Sequence, residues 1–170
     1  VLPATRGEVM FRDANISGLH SRDIAKRGMA RTFQHVKMIP DMTVLENVAL
    51  GTHTRGRKGV LSAMLRANRT EEQQLFREAQ RQLERIGMGE YLHEQAGNLA
   101  MGPQRLMEIA RALCADPALL LLDEPAAGLR HKEKQALADV LRQTPQGPVA
   151  LTPSDASKAQ RGMALWQRLN

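Results

Sequence analysis

Leu119-Leu120-Leu121-Leu122-Asp123-Glu124-Pro125 joins four leucines to two adjacent carboxylates and a proline. These residue types suit metal-assisted phosphoryl chemistry: one carboxylate can hold Mg²⁺ on a nucleotide while its neighbour polarises a water. A continuous apolar run of this length reads as a strand buried on both faces of a parallel sheet. Open sheets of that kind place their ligands at the carboxyl ends of the strands. Asp123 and Glu124 would then be delivered to a nucleotide, which is the Walker B arrangement. The plainer reading is a core strand followed by two solvated acids.

The elements around the run must position it. Gly7 to Phe11 reads as a short strand, Ile16 to Leu19 as a turn, and Ser21 opens a short helix with Asp23 near its positive end and Gly28 at its stop. Met29 to Phe33 reads as the next strand, ending at Gln34. Thr43 with Glu46 is a capping-box pattern for a helix to about Leu50. Residues 51–69 are rich in Gly, Arg and Ser and read as a loop with at most one helical turn. Thr70 with Gln73 repeats the capping-box pattern, and its helix aligns Leu75, Phe76, Ala79, Leu83 and Ile86 before Gly87 and Gly89. A later helix carries Met107, Ile109, Ala110, Leu113 and Cys114 on its apolar side, with Pro103 in the first turn. Glu133 to Arg142 forms another through Leu137, Val140 and Leu141. The last 28 residues are turn-rich, with Val149-Ala150-Leu151 their one candidate strand and a weak helix expected from Ser157 to Leu169.

The stretch Asn98-Leu99-Ala100-Met101-Gly102-Pro103-Gln104-Arg105-Leu106-Met107-Glu108-Ile109-Ala110-Arg111-Ala112-Leu113 resembles the signature motif and helix of ATP-binding-cassette (ABC) ATPases. Asp116-Pro117 then fills the family's link to the Walker B strand, and Ala126-Ala127-Gly128-Leu129 stands where the family has its D-loop. Arg31-Thr32-Phe33-Gln34, with Met42-Thr43-Val44-Leu45-Glu46-Asn47-Val48 after it, resembles the Q-loop and the segment that follows. The details look most like the ATPase subunits of branched-chain amino acid importers, over about residues 7–143.

The resemblance implies an α/β fold, an incomplete P-loop NTPase domain with a parallel sheet core and a helical subdomain. It divides the chain into a partial core with Q-loop (1–40), a helical subdomain (41–97), signature, Walker B and D-loop (98–143), and an unrelated or disordered tail (144–170). By the same resemblance Asp123 helps hold Mg²⁺, largely through water, and contributes to nucleotide binding. Glu124 is the general base. Gln34 senses Mg²⁺ and the γ-phosphate and links the site to the membrane subunit. Ala100, Met101, Gly102 and Gln104 face the ATP of a second subunit, where helix-end amides suit an anion. The cofactors implied are ATP and Mg²⁺. The partners implied are transmembrane permease subunits and a second ATPase subunit, on the cytoplasmic face of the plasma membrane. Several positions depart from the pattern: Ala100 replaces a serine, Met101 a glycine and Leu106 an arginine. Pro103 removes an amide donor, and Arg130 stands where Asp or Asn is usual.

Phosphate binding in this family needs Gly-x-x-x-x-Gly-Lys-Ser/Thr, and these 170 residues contain no such run. Gly51-Thr52-His53-Thr54-Arg55-Gly56-Arg57-Lys58 has the glycine spacing but the wrong ending, and it follows a helix. The loop is expected to precede Val1. The switch histidine expected after a strand beyond Arg142 is absent too. A frameshift or rearrangement near residue 143 would give this pattern, and loss of sheet pieces would leave exposed edges.

Length suits one core. At 42% apolar and 25% charged residues the composition is that of an ordinary globular domain. No apolar stretch reaches the about 18 residues of a membrane span, and the first residues lack a signal-peptide layout. The single Cys114 excludes an internal disulfide. Of the net charge of +6, residues 20–70 carry ten Lys/Arg against three Asp/Glu. That basic region reads as a solvated face, as an anionic-lipid contact near a membrane partner, or as a nucleic-acid contact. At 3% aromatics, base-stacking platforms are disfavoured and no nucleic-acid partner is expected. The histidines are scattered without metal-ligand spacing.

Three functions follow. The first is a fragment of an importer ATPase, whose hydrolysis by this chain alone would be negligible without the phosphate loop. The second is a non-catalytic module binding a permease or an intact ATPase subunit. The third is basic nucleic-acid binding.

Overall fold

The computed structural model describes residues 7–32, 37–54, 69–142 and 149–152. Met10–Phe11 (β1) pairs antiparallel with Ala14–Asn15 (β2). Arg12 and Asp13 between them have φ of 49° and 59°, the doubly left-handed geometry of a two-residue hairpin turn. The sequence led us to expect one strand over 7–11. Arg-Asp is not the Asn-Gly pair that marks such turns, so the return strand carried no local signal.

Ser21–Lys26 (α1) has Asp23 in its first turn and Lys26 in its last, matching the helix dipole. It leads through Gly28 to Met29–Arg31 (β3). Val44–Ala49 (α2) starts with the expected capping box: Thr43 Oγ1 accepts the Glu46 N–H at 3.2 Å, and Glu46 Oε2 accepts the Thr43 N–H at 2.8 Å. A 3₁₀ turn, Leu50–Thr54, follows.

Arg69–Arg85 (α3) begins before Thr70, so Thr70 lies inside the helix and is not its cap. The expected apolar face is largely buried: Ala79, Leu83 and Ile86 are inaccessible, while Leu75 and Phe76 are half-buried. Gly87, at φ 78°, ends α3. Its N–H donates to Glu84 O at 3.1 Å and the Met88 N–H to Leu83 O at 2.8 Å. This left-handed cap satisfies two orphan carbonyls and carries Met88 back into the core against Leu83.

Met101–Cys114 (α4), Leu119–Asp123 (β4), His131–Arg142 (α5) and Val149–Thr152 (β5) complete the chain. The strands β3, β4 and β5 form a parallel sheet in that order, with Arg31 opposite Leu121 and Asp123 opposite Thr152. One expectation changes here. Leu120 and Leu122 are buried, but Leu119 and Leu121 are only half-buried, so β4 has one fully covered face. Strand β5 is the expected Val149-Ala150-Leu151 segment with Thr152 added. This apolar run is held by parallel ladder hydrogen bonds beside β4. Residues 153–170 lie outside the described residues.

One continuous core runs from Val44 and Val48 of α2 through α3 and α4 to Leu120 and Leu122 of β4 and Leu137 and Val140 of α5. Each fully buried leucine or isoleucine contributes about 1.5–3 kcal/mol. Cys114 packs in it as a buried thiol. The helices around the signature segment and the strand that bears the two acids are therefore held by the same packing.

Candidate functional site

Asp123 closes β4 and Glu124 follows it. The parallel register brings the end of β3 alongside. The Thr32 N–H donates to Leu121 O at 3.0 Å, and Thr32 Oγ1 accepts the Asp123 N–H at 3.3 Å. Thr32 is 2% exposed, so this hydroxyl clamp is shielded from water. Arg31 lies beside the acid, with Nη2 3.8 Å from Asp123 Oδ2. Neither residue was given a role in the sequence reading. The run that contains both was in view, but only the pairing of β3 with β4 shows that they meet Asp123.

Glu124 has φ 45°. For a residue with a Cβ this left-handed conformation costs about 1–2 kcal/mol. Its carbonyl accepts the Ala127 N–H at 3.0 Å, which closes the turn through Pro125 and swings the chain off the strand direction. Strain of this kind is retained where surrounding structure enforces it, and it gathers at functional sites.

The carboxylates fit a hard cation. Mg²⁺ takes oxygen ligands and is usually held by one or two carboxylates together with substrate phosphates and water. Asp123, 23% exposed at its side chain, and half-buried Glu124 offer that donor set at the open end of a sheet. Among the described residues no group of three or more His, Cys, Asp or Glu could form an all-protein metal site.

The signature residues are built on α4. Ala100 is its N-cap with extended backbone, and its methyl side chain makes no capping hydrogen bond. Met101 is 73% exposed. Gly102 is buried: a Cβ there would stand 2.7 Å from Glu133 Oε2, the oxygen that also accepts the Arg130 N–H at 2.7 Å. Glu133 thus caps the start of α5 and abuts the start of α4, a link that sequence reasoning missed. Gly128 of the Ala126–Leu129 turn faces Met101, whose Sδ would be 3.5 Å from an added Cβ. The half-buried Gln104 turns its amide inward, donating to Leu99 O at 2.8 Å. Gln34 lies outside the described residues, so the structure brings together Asp123 and Glu124, and separately Ala100 to Gln104 with the Gly128 turn.

A charged cluster inside α4 was also unforeseen. Glu108, 3% exposed, has Oε2 3.6 Å from Arg105 Nη1 and Oε1 4.0 Å from Arg111 Nη2. Arg111 also donates to the Lys37 carbonyl, tying α4 to the chain just past the Gln34 segment. Burial pushes the Arg111 pKa down, and the Glu108 carboxylate opposes that shift. The periodic apolar pattern masked this cluster, because charged residues at buried helix positions read as solvated ones.

The family model for ABC transporters matches residues 1–127. The high-affinity branched-chain amino acid transport ATP-binding protein LivG of Escherichia coli K12 is 42% identical over 140 residues, covering 81% of this chain and 54% of LivG. BraF of Pseudomonas aeruginosa, which bears the same description, is 37% identical over 135 residues, covering 78% and 53%. Among solved structures, MJ1267, an ATP-binding cassette of an ABC transporter, aligns with a TM-score of 0.69 and 28% identity over 88% of this chain and 60% of that one. The chain spans about half the length of the curated relatives it matches.

Proposed function

This chain belongs to the ABC transporter family, and from that premise we propose that it carries the water-activating and signature parts of an importer ATPase that drives uptake of branched-chain amino acids. The observation that carries this reading is the pair Asp123 and Glu124 at the open end of a parallel strand, clamped by Thr32. The names of LivG and BraF supply the substrate class.

In this reading Mg²⁺ neutralises charge on the transferred phosphate when bound. Asp123 is the residue that would hold it. Glu124 accepts a proton from the attacking water. Asp123 and Glu124 thus serve separate roles in this reading. Gln34 reports the state of the site to the permease. Ala100 to Gln104 offer the amide-bearing end of α4 to ATP held by a second subunit. Exposed Met101, lying against Gly128, gives that surface an apolar edge. These 170 residues hold no Gly-x-x-x-x-Gly-Lys-Ser/Thr run, so the phosphates themselves are gripped elsewhere. The subunit works on the cytoplasmic face of the membrane, beside its permease.

The test is a chimera in which this chain's segment replaces the matching 140 residues of LivG. It is expected to hydrolyse ATP and support leucine uptake, and Glu124→Gln should lower turnover about 10²- to 10⁴-fold with ATP binding kept. A folded chimera whose turnover is unchanged by Glu124→Gln overturns the reading. A chimera that binds permease but hydrolyses nothing supports the alternative, a non-catalytic interaction module.

A further inference from the structure

Arg31 places a positive charge beside the acid to which the proposed function assigns Mg²⁺. Its Nη2 lies 3.8 Å from Asp123 Oδ2, and its side chain is 56% exposed against 23% for Asp123. The backbone of Arg31 is fixed in β3 opposite Leu121, and the next residue, Thr32, is locked to β4 by two hydrogen bonds. The guanidinium is therefore held beside the carboxylate by a fixed backbone, with more than half of its side chain open to water.

We propose that Arg31 is a positioning residue that makes Asp123 discriminate between a free divalent cation and one carried by a polyphosphate. The inference rests on the proposed function, since it takes Asp123 as a metal-holding carboxylate. A free cation must displace the guanidinium from Asp123 and then sit next to its positive charge, which opposes binding. A cation that arrives with a polyphosphate brings negative charge for the displaced guanidinium. Arginine pairs with phosphate through its planar fork. The arrangement thus penalises the metal alone and spares the metal–phosphate pair.

The test measures Mn²⁺ binding to the full chain by paramagnetic relaxation, first with Mn²⁺ alone and then with Mn²⁺ and tripolyphosphate. Exposed ion pairs set the scale: Arg31→Gln should tighten Mn²⁺ alone by about two- to five-fold. The same variant should leave Mn²⁺ with tripolyphosphate unchanged or weaker. Arg31→Lys, which keeps the charge, should return Mn²⁺ alone to the wild-type affinity. If Arg31→Gln leaves Mn²⁺ alone unchanged, weakens it, or tightens both ligands equally, the inference is wrong while the site assignment stands. Asp123→Asn is the control. If it does not reduce Mn²⁺ binding, the metal-holding role of Asp123 fails, and the role of Arg31 fails with it.

Discussion

Gly51→Ala tests whether the 3₁₀ turn is seated directly on the signature helix. A Cβ at position 51 would stand 1.9 Å from the Arg111 carbonyl oxygen, 2.8 Å from its carbonyl carbon and 3.0 Å from its Cγ. Ordinary contact begins near 3.4 Å, so the two segments must part by about 1.5 Å. The closest atoms are backbone, so no rotamer change relieves the clash. Movement is resisted on both sides. Ile109, Ala110 and Leu113 hold α4 in the core, and Thr52, 2% exposed, donates its hydroxyl to Ala49 O at 2.7 Å. Overpacking typically costs 1–3 kcal/mol, and this geometry belongs at about 3 kcal/mol. For a chain of this size that lowers Tm by about 6–12 °C. Gly89→Ala is the matched control. Its nearest neighbour is the flexible Glu84 Cγ at 3.5 Å, so the substitution should be neutral or gain about 0.4–1 kcal/mol. Thermal and urea unfolding of both variants decide the matter. A Gly51→Ala protein that melts within about 2 °C of wild type, or no lower than Gly89→Ala, refutes the close-seated turn.

Two further outcomes rest on the segment after Gln34. Asn47 is fully buried; its Oδ1 accepts the Ile39 N–H at 2.9 Å, and its Nδ2 donates to Ile39 O, Met42 O and Thr43 O. Asn47→Asp keeps the shape but turns a donor toward three carbonyls into an acceptor, and should cost about 3 kcal/mol in urea unfolding, partly recovered at acid pH. Glu46 has its pKa lowered from 4.5 by hydrogen bonds from the Thr43 backbone and side chain. A lowered folded-state pKa means that the stabilisation is present above pH 4.5 and is lost as pH falls through the lowered value. Wild type should show that acid-side loss, read by unfolding at stepped pH, and Glu46→Gln should remove this contribution to it.

Much of the site could be read from neighbours in the chain. The Thr43–Glu46 box, the buried leucines before Asp123 and the apolar face of α4 depend on residues one to four positions apart, and all three took the expected form apart from the half-open face of β4. The hairpin return at Ala14–Asn15 was not legible because it lacked the usual turn pair, and the helical placement of Thr70 was not because Thr70 with Gln73 carries a capping-box pattern inside a helix that begins at Arg69.

The order of motifs, the strand that ends in two acids and the amphipathic faces are properties of the sequence itself, since periodicity and capping are short-range interactions written into adjacent residues. Only the tertiary structure decided what stands beside them. Thr32 caps the amide of Asp123 from 91 residues away, and Arg111 reaches the Lys37 carbonyl across 74. Arg31 meets Asp123, Glu133 abuts Gly102, and β5 joins the sheet for the same reason. Strand register and helix docking are chosen by the burial of a shared core, and that choice lies in the sum of many distant contacts.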